Sequence, residues 1–199
     1  MIVTKKAPEF TAVAVMPNNE INENFSLYEN FGSKGTVVFF YPLDFTFVCP
    51  TEIIAFNKRL DEFKKRGINV IGVSIDSQFS HLAWKNTEVS NGGIGQVQYP
   101  LVADLTKQIA RDFDVLIEEA GVALRGSFLI DTDGTVRHAV INDLPLGRNI
   151  DEMLRMVDTM VFTNEHGEVC AAGWEAGDEG MTASTEGVAD YLAKNAEEL

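Results

Sequence analysis

The run TVVFFY, residues 36–41, is apolar on both faces that a β-strand presents, and such a strand is stable only where other elements cover each side of it. A second run of the same kind, NVIGVSID, occupies 69–76. Between them TEIIAFNKRLDEFKKRG repeats apolar residues at Ile53, Phe56, Leu60 and Phe63, the spacing of one helix face, and closes on Lys64, Lys65, Arg66 and Gly67. Cations in the last turn suit the negative end of the helix dipole, and a glycine just beyond it suits a helix stop. Strand, helix and strand in this order form a βαβ unit, which commits the chain to an α/β sheet covered on both faces.

The rest of the sequence extends that sheet. A helix is expected from Ser80 through Leu82, Trp84 and Val89, ahead of the glycine-rich loop NGGIGQVQYP. LVAD (101–104) reads as a short strand and TKQIARDFDV as a helix. RGSFLID and TVRHAVI read as two strands joined by the turn TDG, and NIDEMLRMVDTMVF as a long amphipathic helix. After Thr163 the pattern thins into a stretch rich in Gly, Ala and acids, until VADYLAKNAEEL supplies a short terminal helix. The expected organisation is a mixed α/β domain over 1–163 with an extended C-terminal arm over 164–199. Forty-five per cent hydrophobic residues can build a substantial core for such a domain. The arm is too poor in apolar residues to fold alone and must lie on its own domain or on another subunit.

Charge narrows the function. Thirty Asp and Glu against 16 Lys and Arg give a formal charge of −14, which repels phosphate backbones and anionic lipid surfaces, so neither nucleic acid nor a membrane is an expected partner. The N-terminus MIVTKKAPEF has no apolar run of signal-peptide length, and a cytoplasmic location is expected. The three histidines, His81, His138 and His166, have mixed spacing that forms no metal set, and each reads as a surface or partly packed residue. No glycine-rich nucleotide loop of the GxGxxG or GxxxxGK[ST] kind occurs.

The two cysteines, Cys49 and Cys170, are too few for a disulfide framework and too far apart for a CxxC pair. They are either inert thiols or partners in a disulfide that forms transiently during work. Cys49 lies in FTFVCPTE, residues 45–52. Either Thr46 caps the helix that follows, or Cys49 is itself the cap, with Pro50 in the favoured first position and Glu52 at capping-box spacing. In both cases the sulfur meets the unpaired amides and positive dipole end of a helix, which favour a thiolate over a thiol. Arg125, at the head of LRGSFLI, and Arg148, in LPLGRNI, are candidate cations for that thiolate, and Glu52 could hold both guanidinium groups by bidentate contacts. A cysteine hydrolase would instead need His81 or His138 beside the sulfur and would leave Cys170 without a role.

YPLDFTFVCPTE carries Pro42, Thr46 and Cys49 in a P-x-x-x-T-x-x-C pattern and resembles the peroxiredoxins, specifically the typical two-cysteine kind that includes alkyl hydroperoxide reductase C and thioredoxin peroxidase. The likeness runs nearly end to end through IIAFNKR, VIGVSIDS, HLAWKN, GGIG, YPLVAD, LRGSFLID, LPLGR and GEVC. It implies a thioredoxin-like fold, a mixed central sheet flanked by helices, working without a cofactor or metal. By that resemblance Cys49 is the peroxidatic cysteine, which attacks hydrogen peroxide or an organic hydroperoxide to give a sulfenic acid. Thr46 and Arg125 assist at the sulfur, Pro42 shields it, and Glu52 and Arg148 support Arg125.

Cys170 is then the resolving cysteine, which closes an intersubunit disulfide with Cys49 of a two-fold partner. Thioredoxin or a flavoprotein disulfide reductase would reopen that disulfide. The family's usual assembly is a ring of five dimers, and some members act as holdase chaperones after overoxidation. GGIG, with Tyr191 and Leu192, resembles the pair of elements found in overoxidation-sensitive members. Ala171 departs from the pattern, since proline commonly follows the resolving cysteine; alanine restores freedom in φ and a backbone N–H.

Overall fold

In a computed structural model of the chain, which describes residues 1–197, the two apolar runs lie side by side at the centre of a seven-stranded sheet. They are β3 (Gly35–Phe40) and β4 (Ile68–Ser74), paired in parallel from Gly35 opposite Ile68 to Phe40 opposite Val73. β5 (Leu101–Ala103) continues the parallel set beside β4. On the other flank β8 (Arg125–Ile130) runs antiparallel to β3, and β9 (Val136–Asn142) antiparallel to β8. β1 (Thr11–Val15) and β2 (Ile21–Ser26) add an antiparallel edge beyond β5, giving the order β2-β1-β5-β4-β3-β8-β9. A separate hairpin pairs β6 (Leu116–Ile117) with β7 (Val122–Ala123).

β3 is buried along its whole length, as its composition requires. Val38 and Phe40 join a cluster with Ile71, Val73, Phe113 and Phe128, in which Phe40 and Phe113 lie 5.1 Å apart. Phe39 stacks on Phe56 at 4.2 Å and meets Tyr99 edge-on at 5.7 Å. The single helix expected between β3 and β4 is divided into α1 (Cys49–Lys58) and α2 (Leu60–Lys65). At Arg59 ψ opens to 4°, and its N–H is shared between the carbonyls of Ala55 and Phe56. Such a bifurcated bond tightens the turn, and Phe56 and Phe63 remain 5.9 Å apart across it.

α3 runs over Gln78–Lys85, two residues earlier than Ser80, because the Ser77 hydroxyl caps it by accepting from the Ser80 N–H at 3.2 Å. It ends before Val89, and Trp84 Nε1 donates to the Gly92 carbonyl at 2.8 Å, tying the glycine loop back to the helix. α4 (Gln108–Asp112) follows β5, and Asp104 accepts from the N–H groups of Ile109 and Ala110 at its start.

The chain divides into two compact units, Met1–Ile150 and Asp151–Leu199. α5 (Ile150–His166) buries Met153, Leu154, Val157 and Met160 along one stripe. In the second unit an extended segment leads to α6 (Thr185–Asn195), capped by Ser184 accepting from the Gly187 N–H. The end of the expected terminal helix, residues 198 and 199, lies outside the described residues. Among the described residues no helix is long and apolar enough to cross a membrane.

Lys85 is only 1% exposed, and its Nζ donates to the carbonyls of Met16 at 2.8 Å and Pro17 at 3.3 Å, which ties α3 to the β1–β2 turn. Burial pulls its pKa from 10.5 down to about 8. The unfolded chain therefore binds one more proton than the folded chain between those values, so stability gains as pH rises through that window. Measured against Lys85→Met by chemical denaturation, the wild type should gain up to about 3 kcal/mol between neutral pH and the upper end of the window. A difference independent of pH would show that Lys85 is charged in the folded protein throughout.

Candidate active site

Cys49 is the first residue of α1 and has no solvent exposure. The residue in the capping position is Val48, so neither Thr46 nor Cys49 caps the helix as the sequence proposed. Thr46 is otherwise engaged: its hydroxyl lies 2.8 Å from the Leu43 carbonyl and 2.9 Å from the Cys49 sulfur. A hydroxyl has one hydrogen to donate. While it donates to Leu43, the thiol S–H can donate to Oγ1; once the sulfur is an anion, the hydroxyl hydrogen is free to turn toward it. Phe45, held at φ 52°, makes the left-handed step that brings Thr46 back over the helix start.

Glu52 also does something other than the capping-box spacing implied. Its carboxylate is buried, and four donors converge on its two oxygens. The Arg148 N–H and Nε reach Oε1 at 2.8 Å each, while Arg148 Nη2 and Arg125 Nη1 reach Oε2 at 2.9 and 2.8 Å. Burial raises its pKa, but the Arg148 hydrogen bonds and charge, followed by the Arg125 charge, outweigh that and hold it below the usual carboxylate range. Arg125, the first residue of β8 and 3% exposed, spends Nε on the Leu144 carbonyl at 2.6 Å and brings Nη1 to 3.5 Å from the Cys49 sulfur. Arg148 is completed by the Gly126 carbonyl at 2.6 Å and the Ser127 hydroxyl at 2.9 Å, and its guanidinium sits 5.5 Å over the Phe39 ring. The helix start, the head of β8 and the loop before α5 thus bring Cys49, Thr46, Glu52, Arg125 and Arg148 together. Pro42 is buried just after β3 and Tyr41.

His81 overturns its sequence reading as a surface or partly packed residue, since it is fully buried. Nδ1 lies 2.8 Å from the Asp44 carboxylate and Nε2 3.2 Å from the Val102 carbonyl, while the Tyr41 hydroxyl donates to Asp44 at 2.9 Å. Asp44, whose N–H is held by Asp76 at 2.7 Å, sits between Pro42 and Thr46, so this cluster anchors the loop that carries them. Sequence reasoning missed it; its one signal is that the acid lies inside the motif. With both ring nitrogens engaged there, His81 is committed to the loop and is not among the sulfur's hydrogen-bond partners, Thr46 and Arg125.

Cys170 belongs to the second unit and is a half-buried free thiol. Burial pushes its pKa up, the Arg155 charge opposes this, and Glu168 adds to it. Val169 and Met181 exchange two backbone hydrogen bonds of 2.9 Å that close the loop around it, and the Ala171 carbonyl accepts from the Trp174 N–H at 3.3 Å.

Comparison with known proteins gives the chain a family. The AhpC/TSA family profile matches residues 3–139, and the C-terminal domain of 1-Cys peroxiredoxin matches residues 160–194. Alkyl hydroperoxide reductase C of Helicobacter pylori is 64% identical over 199 residues, covering both chains completely. Peroxiredoxin-1 of Gallus gallus is 49% identical over 192 residues, 96% of each chain. The crystal structure of reduced Plasmodium vivax 2-Cys peroxiredoxin superposes with a TM-score of 0.93 at 45% identity, covering 97% of this chain and 99% of that one. A buried cysteine at a helix start, with a threonine hydroxyl and a guanidinium on its sulfur, is thus found in a chain that belongs to the AhpC/TSA family and is a peroxiredoxin, a thiol-dependent peroxidase.

Proposed function

We propose that the peroxidase cycle runs through Cys49 as peroxidatic and Cys170 as resolving cysteine. The observation that carries this reading is the charge count at the sulfur: two buried guanidinium groups face one buried carboxylate, and a thiolate at Cys49 would balance them. The thiolate attacks the terminal oxygen of a hydroperoxide in line with the O–O bond. An S–O bond forms, the O–O bond breaks, and the leaving alkoxide or hydroxide takes up a proton as alcohol or water. The sulfur loses two electrons and becomes a sulfenic acid. Thr46 and Arg125 donate to the oxygen atoms as charge moves onto the leaving group, and Pro42 shields the product sulfur.

Cys170 of a two-fold partner then attacks the sulfenic sulfur as its thiolate. The S–S bond forms, the S–O bond breaks, and hydroxide leaves and is protonated to water. Thioredoxin or a flavoprotein disulfide reductase in the cytoplasm returns two electrons by thiol–disulfide exchange. Residues 1–163 would serve as the peroxidase domain and 164–199 as the arm that delivers Cys170, with five dimers closing a ring.

One equivalent of hydrogen peroxide should convert the reduced wild type on a non-reducing gel to a covalent dimer cross-linked through Cys49 and Cys170. Cys170→Ser should stay monomeric and trap a dimedone-reactive sulfenic acid. Monomers in both lanes with peroxide unconsumed would end the proposal.

A further inference from the structure

One peptide group in the loop before Cys49 is held at both ends. The N–H of Asp44 donates to Asp76 Oδ2 at 2.7 Å, and the carbonyl of the same peptide, that of Leu43, accepts from the Thr46 hydroxyl at 2.8 Å. A trans peptide is planar, so the direction of its N–H fixes the direction of its C=O. The Thr46 oxygen that this carbonyl restrains lies 2.9 Å from the Cys49 sulfur. Asp76, just beyond the end of β4, is thus joined to the reacting sulfur by a continuous path of carboxylate, peptide and hydroxyl. The Ser74 hydroxyl donates to the same Asp76 oxygen at 3.1 Å and accepts from the Asp76 N–H at 3.2 Å, which fixes the carboxylate to the strand end. On the other side, Tyr41 and His81 hold the Asp44 side chain, and the Phe45 ring lies 5.6 Å from that of Trp84 on α3. Those contacts fix the side chains of the loop. A peptide plane can still swing about the line between its two Cα atoms without displacing a side chain, and the bond to Asp76 opposes that swing. Burial raises the pKa of Asp76, the Asp44 N–H opposes this, and the Asp44 charge adds to the rise. A second carboxylate beside Asp44 therefore costs the fold something, in a loop that Tyr41 and His81 already anchor.

We propose that Asp76 is a positioning residue for the peroxidatic step: by holding the Leu43–Asp44 peptide in one orientation, it keeps the Thr46 hydroxyl at hydrogen-bond distance from the Cys49 sulfur, where it can act on the peroxide. The inference rests on Cys49 as the peroxidatic cysteine and on Thr46 as the hydroxyl that assists it. In this role Asp76 acts only through Thr46. The step itself is the S–O bond formation already balanced, to which Asp76 adds no atom and no proton.

Double-mutant kinetics test this, with sulfenic acid formation followed by stopped flow after a pulse of hydrogen peroxide. Asp76→Ala, which leaves the Asp44 N–H without its acceptor, should slow that step about tenfold, the effect of a small misplacement of an assisting group. In Thr46→Val there is no hydroxyl left to place, so adding Asp76→Ala should change the rate by less than about twofold. Asp76→Asn should recover most of the wild-type rate, because Asp44 and Ser74 donate to the same oxygen, and an amide oxygen has two lone pairs to accept them. A wild-type rate in Asp76→Ala overturns the proposal. So does an equal loss in the Thr46→Val background, which general loosening of the fold would give, and so does a Thr46→Val variant as fast as the wild type, since Asp76 would then have nothing to place. Should Asp76→Ala not fold, Asp76→Glu keeps the charge but shifts the acceptor by one methylene; a wild-type rate there, or equal slowing with and without the Thr46 hydroxyl, overturns the proposal independently. Peroxide reduced at the wild-type rate by Cys49→Ser would instead defeat the peroxidatic assignment.

Discussion

Glu52→Gln should destabilise the protein by about 3–5 kcal/mol, the cost of breaking a buried ion pair so that charge is left without its partner. The geometry makes glutamine a poor substitute despite its shape. Four N–H donors, from the Arg148 backbone, Arg148 Nε and Nη2, and Arg125 Nη1, point at the two carboxylate oxygens. An amide offers one acceptor oxygen, and its NH2 group would face whichever donors converge on the other side. Two guanidinium groups, each with a side chain 4% exposed or less, would then lie buried against a single anion, the proposed Cys49 thiolate.

The pH dependence gives the same site a second signature. The folded-state pKa of Glu52 is held below its ordinary value of 4.5, so the stability it contributes is complete above that value and is lost as pH falls through the lowered one. Wild type should converge with Glu52→Gln in acid and separate from it toward neutral pH. Urea denaturation at several pH values checks this; a constant small difference would mean the guanidinium groups are neutralised by something other than Glu52.

How much of this was readable in the sequence depended on whether the information was local. β3 and β4 were, since a strand buried on both faces must be apolar at every position. The helix start at Cys49 was as well, through Pro50, although the capping residue was not: the Thr46 side chain was free to choose the sulfur over a backbone amide. β1 and β2 escaped notice because β2 is an edge strand that buries little beyond Phe25, so INENFS carries no clear alternation. The break at Arg59 was hidden because Phe56, Leu60 and Phe63 keep helical spacing across it. His81 and Asp44 lie 37 residues apart, and Glu52 lies 73 residues from Arg125 and 96 from Arg148. Pairings of that range leave no periodic trace; the arginines were singled out as candidate cations by their places in LRGSFLI and LPLGRNI and given roles by family likeness, and the His81 cluster, which neither supplied, was missed.

Arg125→Met should reverse the balance of effects seen with Glu52→Gln, with a large loss of activity and a smaller loss of stability. Methionine approximates the volume of the arginine stem but offers no donors, so the sulfur loses the Nη1 contact at 3.5 Å and, in the proposed cycle, the peroxide loses one of the two side chains that would polarise it. Removal of one preorganised donor from such a site costs about 10²–10³ in rate, and the second-order rate constant for hydrogen peroxide should fall by about that factor. Glu52, by contrast, keeps its three donors from Arg148, so the buried carboxylate stays paired, while the proposed Cys49 thiolate is left without its guanidinium. Lysine should not rescue the rate, because a single ammonium cannot reach the Leu144 carbonyl, Glu52 and the sulfur together as the planar fork does. Competition kinetics against a haem peroxidase would measure the rate constant and thermal unfolding the stability. A variant that reacts at the wild-type rate would show that Thr46 and the helix start suffice to activate Cys49, and the guanidinium would then be structural.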